Sequence, residues 1–178
     1  MKGIVFNLLE EAVTMEHGDA AWLHLVEQAA GRGTYSSLAS YPDAELLGIV
    51  DQAAAALSLS VPEVLRWFGE AAMPLLAERF AGLFELHRSS RSFILSINDI
   101  IHPEVRKLYA GAACPHFHFA EAEDGRLILG YQSQRQLCNL AHGFILGAAR
   151  HFGDAVEVEH LSCTHSADPF CRLALSWT

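Results

Sequence analysis

The sequence predicts an α+β protein, with helices in the first half and four antiparallel strands plus helices in the second half. Three observations predict this fold class. Apolar residues recur at helical spacing in the first half of the chain, two hairpin patterns occupy the second half, and a long helical pattern separates the hairpins. At 178 residues the chain is suited to one domain. We expect a single domain over residues 1–178.

Four helices are predicted in the first half. Glycine and proline mark their ends, because glycine permits the conformations of a helix end and proline fits the first helical turn. The helices are Lys2–Met15, a second one capped by Asp19 and stopped at Gly31, Asp43–Leu57, and a fourth one opened by Ser60 and Pro62 and interrupted at Pro74. This order places helix upon helix before any strand.

The second half changes character. Ser92–Tyr109 has a helical pattern that is broken around His102–Pro103. The hairpin patterns are 115–121 with 126–132, joined through Glu123-Asp124-Gly125, and 155–162 with 170–177; the helix Arg135–Phe152 lies between them. The order strand-strand-helix-strand-strand predicts a four-stranded antiparallel sheet.

Composition excludes several classes of function. The net charge of -9 argues against nucleic-acid binding, which needs clustered Lys and Arg. No apolar run approaches the roughly 18 residues of a membrane span, and no basic segment followed by an apolar stretch opens the chain. We therefore expect a cytoplasmic protein with no membrane partner, in which the four cysteines are thiols or metal ligands rather than disulfides.

The segment Gly130-Tyr-Gln-Ser-Gln-Arg135 carries a polar pattern. Tyr131, Ser133 and Arg135 alternate, so an extended strand would direct them to one face. Arginine binds a carboxylate through two parallel bonds, and each hydroxyl donates one more. The pattern suits a ligand with two carboxylates, such as the propionates of haem, although a solvated strand edge also fits it.

An isolated histidine lies 29 residues before Tyr131. His102 follows two isoleucines and precedes Pro103, and a neutral imidazole in apolar surroundings can ligate haem iron. On spacing alone, His116, His118 and His142 are rivals for this role.

Together these features resemble the H-NOX family of haem nitric oxide/oxygen-binding sensor domains. The similarity includes the opening Met1-Lys-Gly-Ile-Val-Phe6, His102, Pro115 and the complete Tyr131/Ser133/Arg135 clamp. The resemblance implies a helical N-terminal lobe at 1–60 and a C-terminal lobe of four-stranded antiparallel sheet plus helices at 61–178, with haem b between them. It also implies His102 as the iron ligand and Pro115 as the residue that distorts the macrocycle. It further implies that nitric oxide on ferrous iron breaks the bond to His102 and shifts one lobe against the other.

The resemblance also bears on which gas is bound. Oxygen-binding members carry a tyrosine at the position that matches Leu140, and the sequence has no tyrosine after Tyr131. Val5, Leu9 and Phe144 would keep the distal pocket apolar, which favours a nitric oxide sensor that excludes oxygen. Asn139 and His142 are polar neighbours, and a shift in the helix register would bring either one into the pocket. Core packing of the apolar residues remains the alternative.

A second group of residues has the composition of a zinc site. The group is Cys138, His160, Cys163 and Cys171, with His165 as an alternative fourth ligand. Three thiolates and one histidine form a closed tetrahedral set that suits structural zinc. Some bacterial H-NOX proteins resemble this in their C-terminal lobe. Buried thiols beside a surface histidine are the alternative, and oxidation of zinc-bound thiolates would add a redox input.

We therefore expect a sensor rather than an enzyme. Nitric oxide is the expected signal, and the family implies a separate partner such as a histidine kinase or a cyclic-di-GMP enzyme. A zinc and thiol redox sensor on the same fold, with haem absent or incidental, is the main alternative. A haem enzyme would need a distal acid–base group, which only His142 could supply.

Overall fold

The computed structural model describes residues 1–178 and consists of eight α-helices and four β-strands. The helices are α1 Gly3–His17, α2 Asp19–Gln28, α3 Asp43–Leu57, α4 Val61–Arg79, α5 Ala81–Phe84, α6 Ser90–Leu95, α7 His102–Leu108 and α8 Cys138–Phe152. The strands are β1 His116–Glu121, β2 Leu127–Gln132, β3 Val156–Ser162 and β4 Cys171–Trp177. The predicted α+β class and the order of elements are confirmed.

The four strands form one antiparallel sheet in the order β1-β2-β4-β3. In its register, Tyr131 of β2 lies opposite Phe117 of β1 and opposite Cys171 of β4. His160 of β3 lies opposite Leu173 of β4, just before an irregularity in the pairing. The sheet therefore places Tyr131 beside one of the cysteines, although the two residues are 40 positions apart in the sequence.

The fourth helix begins as predicted but is not interrupted. Ser60 and Glu63 form a reciprocal capping box, which satisfies free backbone N–H groups at the start of α4. The helix then continues through Pro74, where we expected a break. Proline removes one helical hydrogen bond, but α4 packs closely along α8, and that packing holds both sides of Pro74 in one helix.

Two other helix starts differ from the predictions. Asp19 lies inside the first turn of α2 rather than capping it, and Gly18 precedes the helix with a positive φ of 83°. Helix α8 starts at Cys138 and not at Arg135, because the Tyr131 hydroxyl accepts the N–H of Leu137 and Gln136 adopts a positive φ of 54°. A bond to a residue in β2 thus defines where α8 begins.

Glycines allow α8 to approach α4 very closely. A Cβ atom on Gly143 would lie 2.0 Å from the carbonyl oxygen of Arg66, and one on Gly69 would lie 2.4 Å from the carbonyl oxygen of Leu140. Both distances are far below van der Waals contact, so any larger residue there requires the helices to separate. This contact fixes the position of α8, which also packs against β3.

A π-helical turn, Ile97–Ile101, separates α6 from α7. The sequence predicts a break around His102–Pro103, whereas the structure places the break before His102 and starts α7 at that residue. Pro103 is then in the first turn, where its missing N–H costs no helical hydrogen bond. No helix meets the length and hydropathy criteria for a membrane span by itself; the pair α3 and α4, bent by 106°, meets them in combination.

Candidate functional site

An apolar cavity of about 520 Å³ lies in the interior. Its wall is built from α1, α4, the segment from α6 to α7, the first two strands and α8, so it lies where the two halves of the sequence meet. Volumes of this size are typical of sites for small molecules and cofactors. The few polar side chains in the wall therefore decide what the cavity can bind.

His102 is one of these polar residues. Its Nδ1 atom is buried and has no hydrogen-bond partner in the protein. Burial lowers the pKa of the His102 imidazole to about 4, with Arg106 and His116 acting in the same direction. The ring is therefore neutral at pH 7 and keeps the lone pair that a metal ligand needs.

The rival histidines lie elsewhere. His116 and His118 are exposed on the outer face of β1, where their ring centroids are 4.8 Å apart. The Nε2 atom of His118 is 2.8 Å from the Gln132 side-chain oxygen. His142 is buried against β3 and does not line the cavity. Of the four candidates, only His102 contributes to the cavity wall.

The three residues of the polar pattern all line the cavity. Strand alternation does not explain why these three residues lie together, because β2 ends at Gln132. Ser133 and Arg135 lie in the turn that follows, where the N–H of Arg135 donates to the Ser133 hydroxyl at 3.2 Å. The end of β2, with Tyr131, and the turn that follows, with Ser133 and Arg135, therefore bring two hydroxyls and one guanidinium to one edge of the cavity.

Arg135 is held by partners that the sequence did not suggest. Its Nε atom donates to Asp43 Oδ2 at 2.7 Å, and its Nη1 atom donates to the carbonyl oxygen of Ala113 at 2.6 Å. Burial would raise the pKa of Asp43, but hydrogen bonds from the N-terminal amine and from Arg135 lower it overall. Asp43 is 92 positions from Arg135. Because it is the first residue of α3, the sequence around it indicates only the start of a helix.

The remaining predicted wall residues are apolar. Val5, Leu140 and Phe144 line the cavity together with Pro115. Leu9, which we predicted beside Val5, is 1% exposed in the core and does not line the cavity; Leu8 does. Asn139 and His142 are also absent from the wall. The part of the wall that comes from α1 and α8 therefore presents only hydrocarbon.

Asn98 connects the π-helical turn to the sheet. Its amide donates to the carbonyl oxygen of Phe117 at 2.6 Å and accepts the Phe117 N–H at 3.1 Å. The side chain thus occupies the edge of β1 as a neighbouring strand would. His102 lies one helical turn further on, and its ring stacks on Phe117 with centroids 5.9 Å apart. Sequence reasoning missed Asn98, since only the paired strand reveals its partner.

A second site lies between the start of α8 and the last hairpin. The Sγ atom of Cys163 is 3.6 Å from that of Cys138 and 3.9 Å from that of Cys171. The three sulfur atoms lie within 4.8 Å of one another. Thiolates bound at about 2.3 Å to one tetrahedral zinc ion lie about 3.8 Å apart. The sulfur spacing therefore fits a metal ion bound at their centre.

Hydrogen bonds make one of the thiols acidic. The backbone N–H of Thr164 donates to Cys171 Sγ at 3.3 Å, and its hydroxyl lies at the same distance. Burial opposes ionisation, but these bonds lower the pKa of Cys171 overall. Burial and the neighbouring sulfurs raise the pKa of Cys138 instead. Thr164 therefore favours the thiolate form of Cys171, and a positive ion at the centre would favour ionisation of all three thiols.

The two proposed histidine ligands are bonded to other groups. His160 Nε2 is 3.1 Å from His142 Nδ1, and His165 Nε2 is 2.7 Å from the carbonyl oxygen of Gln136. Only the three cysteines lie close enough together to share one ion in this structure. The three predicted thiols therefore lie together, whereas neither predicted histidine is close enough to act as the fourth ligand in this structure.

Comparisons with known proteins agree with this arrangement. The model of the haem-NO-binding family matches residues 2–160. An H-NOX protein from Shewanella oneidensis in the Fe(II)NO ligation state is 34% identical, with 100% of this chain and 99% of that chain covered and a TM-score of 0.93. H-NOX from Shewanella woodyi in the Fe(II)CO ligation state is 28% identical, with 100% and 95% covered and a TM-score of 0.82. An H-NOX protein from K. algicida, 22% identical with 100% and 97% covered and a TM-score of 0.86, shares the fold.

A neutral histidine in the wall of an apolar cavity, with a guanidinium and two hydroxyls at one edge, suits a flat apolar cofactor with acidic substituents. These features are those of a cofactor-binding domain. The chain belongs to the haem-NO-binding (H-NOX) family, whose members are haem-based gas sensors.

Proposed function

We propose that this protein binds haem b in the cavity and senses nitric oxide. The observation that carries the proposal is His102, a neutral imidazole with a buried, unpartnered nitrogen in the wall of an apolar cavity. A buried polar atom without a partner costs about 1–3 kcal/mol, so a ligand-binding role accounts for a position that is otherwise unfavourable. The haem would supply a ferrous iron that binds nitric oxide and thereby weakens its bond to His102.

The clamp residues would hold the acidic edge of the cofactor. Arg135 uses Nε and Nη1 for Asp43 and Ala113, so its Nη2 remains for a carboxylate. Tyr131 accepts a bond from Leu137 and keeps its own hydroxyl proton for donation. Asp43 fixes the guanidinium in orientation and links α3 to the turn before α8, so the clamp joins residues of both proposed lobes, 1–60 and 61–178.

The apolar wall favours nitric oxide over oxygen. A bound oxygen molecule is stabilised by a hydrogen-bond donor in the distal pocket, whereas Val5, Leu140 and Phe144 offer none. Tyr109 lines the cavity as well, but it follows His102 by two helical turns in the same segment and so belongs to the histidine side. This arrangement supports a sensor that does not retain oxygen.

The response would begin at the segment that carries His102. This segment is tied to β1 by Asn98, and Pro115 occupies the cavity wall next to β1. If His102 were released, α7 would stay attached through these contacts, and Pro115 would be the wall residue that contacts the macrocycle. The two lobes then form a two-state element that the gas biases, because it binds one state better.

The output would pass to a separate signalling protein. A histidine kinase or a cyclic-di-GMP enzyme fits the proposal, since the chain functions here as a sensor domain and not as an enzyme. The net charge of -9 would steer encounters with a basic surface on that partner.

An absorption spectrum of the haem-loaded, anaerobically reduced protein tests the proposal. We expect the Soret band of a five-coordinate ferrous haem, which changes on addition of nitric oxide to that of a haem without a protein ligand. We expect no change in air. Failure to take up haem, or a stable change in air, would contradict the proposal.

The cysteine cluster favours a second candidate function, zinc and thiol redox sensing. We infer that zinc would bind Cys138, Cys163 and Cys171, with a histidine as the fourth ligand. Peroxide would accept two electrons from two thiolates, which join as a disulfide and release the metal. Zinc release from the wild type should follow added peroxide and should be absent when Cys163 and Cys171 are replaced by serine.

A further inference from the structure

A buried pair of histidines lies beside the cysteine cluster. His142 is 6% exposed, and its Nδ1 atom is 3.1 Å from Nε2 of His160. His142 follows Cys138 by one helical turn and therefore lies on the same face of α8. His160 pairs with Leu173, two residues after Cys171, so these side chains share one face of the sheet. The histidines and the thiols form adjacent layers between α8 and the sheet.

The hydrogen bond between the two rings restricts where their protons lie. Two neutral imidazoles can bond in this way only if one nitrogen donates and the other accepts. If His142 donates, the proton of His160 lies on its Nδ1 atom, and the ring has no lone pair left for a metal. If His160 donates from Nε2, its Nδ1 atom keeps a lone pair and can act as a ligand.

We propose that His142 is a positioning residue for a metal ion held by the three thiolates and His160. It accepts the Nε2–H of His160 and so selects the form of the ring whose Nδ1 binds the ion. Metal-ligating histidines commonly donate their second N–H to a partner that fixes the ring orientation. This inference rests on the metal site proposed above and names a residue outside its ligand set.

A packing role alone does not account for His142. Its neighbours on α8, Leu140, Ala141 and Ile145, are apolar, and a leucine would fill such a position without burying ring nitrogens. Burying a polar group is unfavourable unless it is hydrogen-bonded, and the bond that His142 makes is directed at His160. A metal ion bound to His160 would account for the burial of this polar pair.

Zinc affinity measured on the haem-loaded, full-length protein tests the inference. The variants are His142→Leu, which removes the acceptor, and His142→Asn, whose amide oxygen can accept near the position of Nδ1. A chromophoric zinc chelator competes with each protein for the metal. We expect His142→Leu to bind zinc roughly 10- to 100-fold more weakly and His142→Asn to remain near the wild type. His118→Ala, which alters an exposed histidine on another strand of the same sheet, is the matched control and should leave the affinity unchanged.

Each other outcome identifies what is wrong. Equal or tighter binding by His142→Leu overturns the inference, because His142 would then be neutral or would compete with the metal for His160. A His142→Asn variant as weak as His142→Leu, with an unchanged far-ultraviolet spectrum and urea midpoint, shows that the hydrogen bond is not the cause. Absence of zinc binding in the wild type overturns the metal site and this inference together. Zinc binding that is lost in Cys163→Ser but unchanged in His142→Leu leaves the metal site intact and overturns only the inference about His142.

Discussion

The cavity and the cysteine cluster are built on opposite plans. The cavity collects apolar side chains from distant parts of the chain around one neutral histidine, and its edge depends on a pair of residues 92 positions apart. The cluster takes two thiols from one hairpin and the third from the first residue of α8. The Sγ atom of Cys171 accepts a hydrogen bond from the Thr164 N–H of the same hairpin.

This difference separates what each site responds to. A site closed by hydrocarbon with one exchangeable ligand suits a small neutral gas, whereas clustered thiols suit a cation or an oxidant. The sites nevertheless share α8, because Leu140 and Phe144 line the cavity on the helix that begins with Cys138. A substitution in one site, followed by measurement of ligand binding at both, shows whether the two sites act independently.

Replacing His102 by glycine should have the largest effect, a complete loss of the bond between protein and iron. The spectrum of the reduced, haem-loaded variant should lose the features of histidine ligation, and imidazole added to the solution should restore them. Zinc content should not change, because the cluster takes no residue from α7. His116→Ala is the control, since that ring is exposed on β1. Histidine ligation that persists in His102→Gly would show that another ring binds the iron.

Replacing Cys163 by serine should weaken zinc binding by more than roughly 100-fold, since even the loss of a group outside the ligand set costs up to that much. Cys163 lies 3.6 Å and 3.9 Å from the other two sulfurs, so its loss leaves only two thiolates and the proposed histidine to bind the ion. The Soret band and its response to nitric oxide should stay as in the wild type. A shifted band would mean that the metal controls the position of α8 and that the two sites are coupled. Cys114→Ser is the control, because that thiol lines the cavity and lies outside the cluster.

Replacing Arg135 by alanine should weaken haem binding by roughly 30- to 150-fold, because the lost charge-assisted bonds are together worth about 2–3 kcal/mol. Transfer of haem to an excess of apomyoglobin measures this change. Part of the loss comes from Asp43, whose carboxylate would face the propionates without its partner. The double variant Arg135→Ala/Asp43→Asn should therefore retain haem better than Arg135→Ala alone. Unchanged retention in both variants would remove the clamp from haem binding.

The two sites also differ in how far the sequence predicts them. Alternating residues, cysteine spacing and the family resemblance together predicted two groups, Tyr131, Ser133 and Arg135 and the three thiols, and the structure brings each group together. Asp43 and Asn98 could not be identified, because their partners come from the tertiary arrangement of α3 and the pairing of β1. Leu9 shows a further limit. Helical spacing predicts that a residue is buried, but one step around the helix decides between the core and the cavity.

Replacing Leu140 by tyrosine should have the smallest of these effects, and it tests the absence of a hydrogen-bond donor from this part of the pocket. Leu140 lines the cavity from the first turn of α8, and its side chain is 6% exposed. A phenol there would place one donor in a wall that otherwise presents hydrocarbon. One hydrogen bond to a polarised ligand is worth about 1–2 kcal/mol, so oxygen affinity should rise by roughly 5- to 30-fold, measured as binding to the reduced protein by spectrophotometric titration.

The matched control for this test is Leu140→Phe, which adds the ring without the hydroxyl. It should not raise oxygen affinity, and the difference between the two variants isolates the donor from the added volume. Equal oxygen affinity in both variants would mean that position 140 does not face the gas. Selectivity would then rest on the strength of the His102 bond rather than on the polarity of the α8 wall, and the cavity would discriminate between gases from its histidine side.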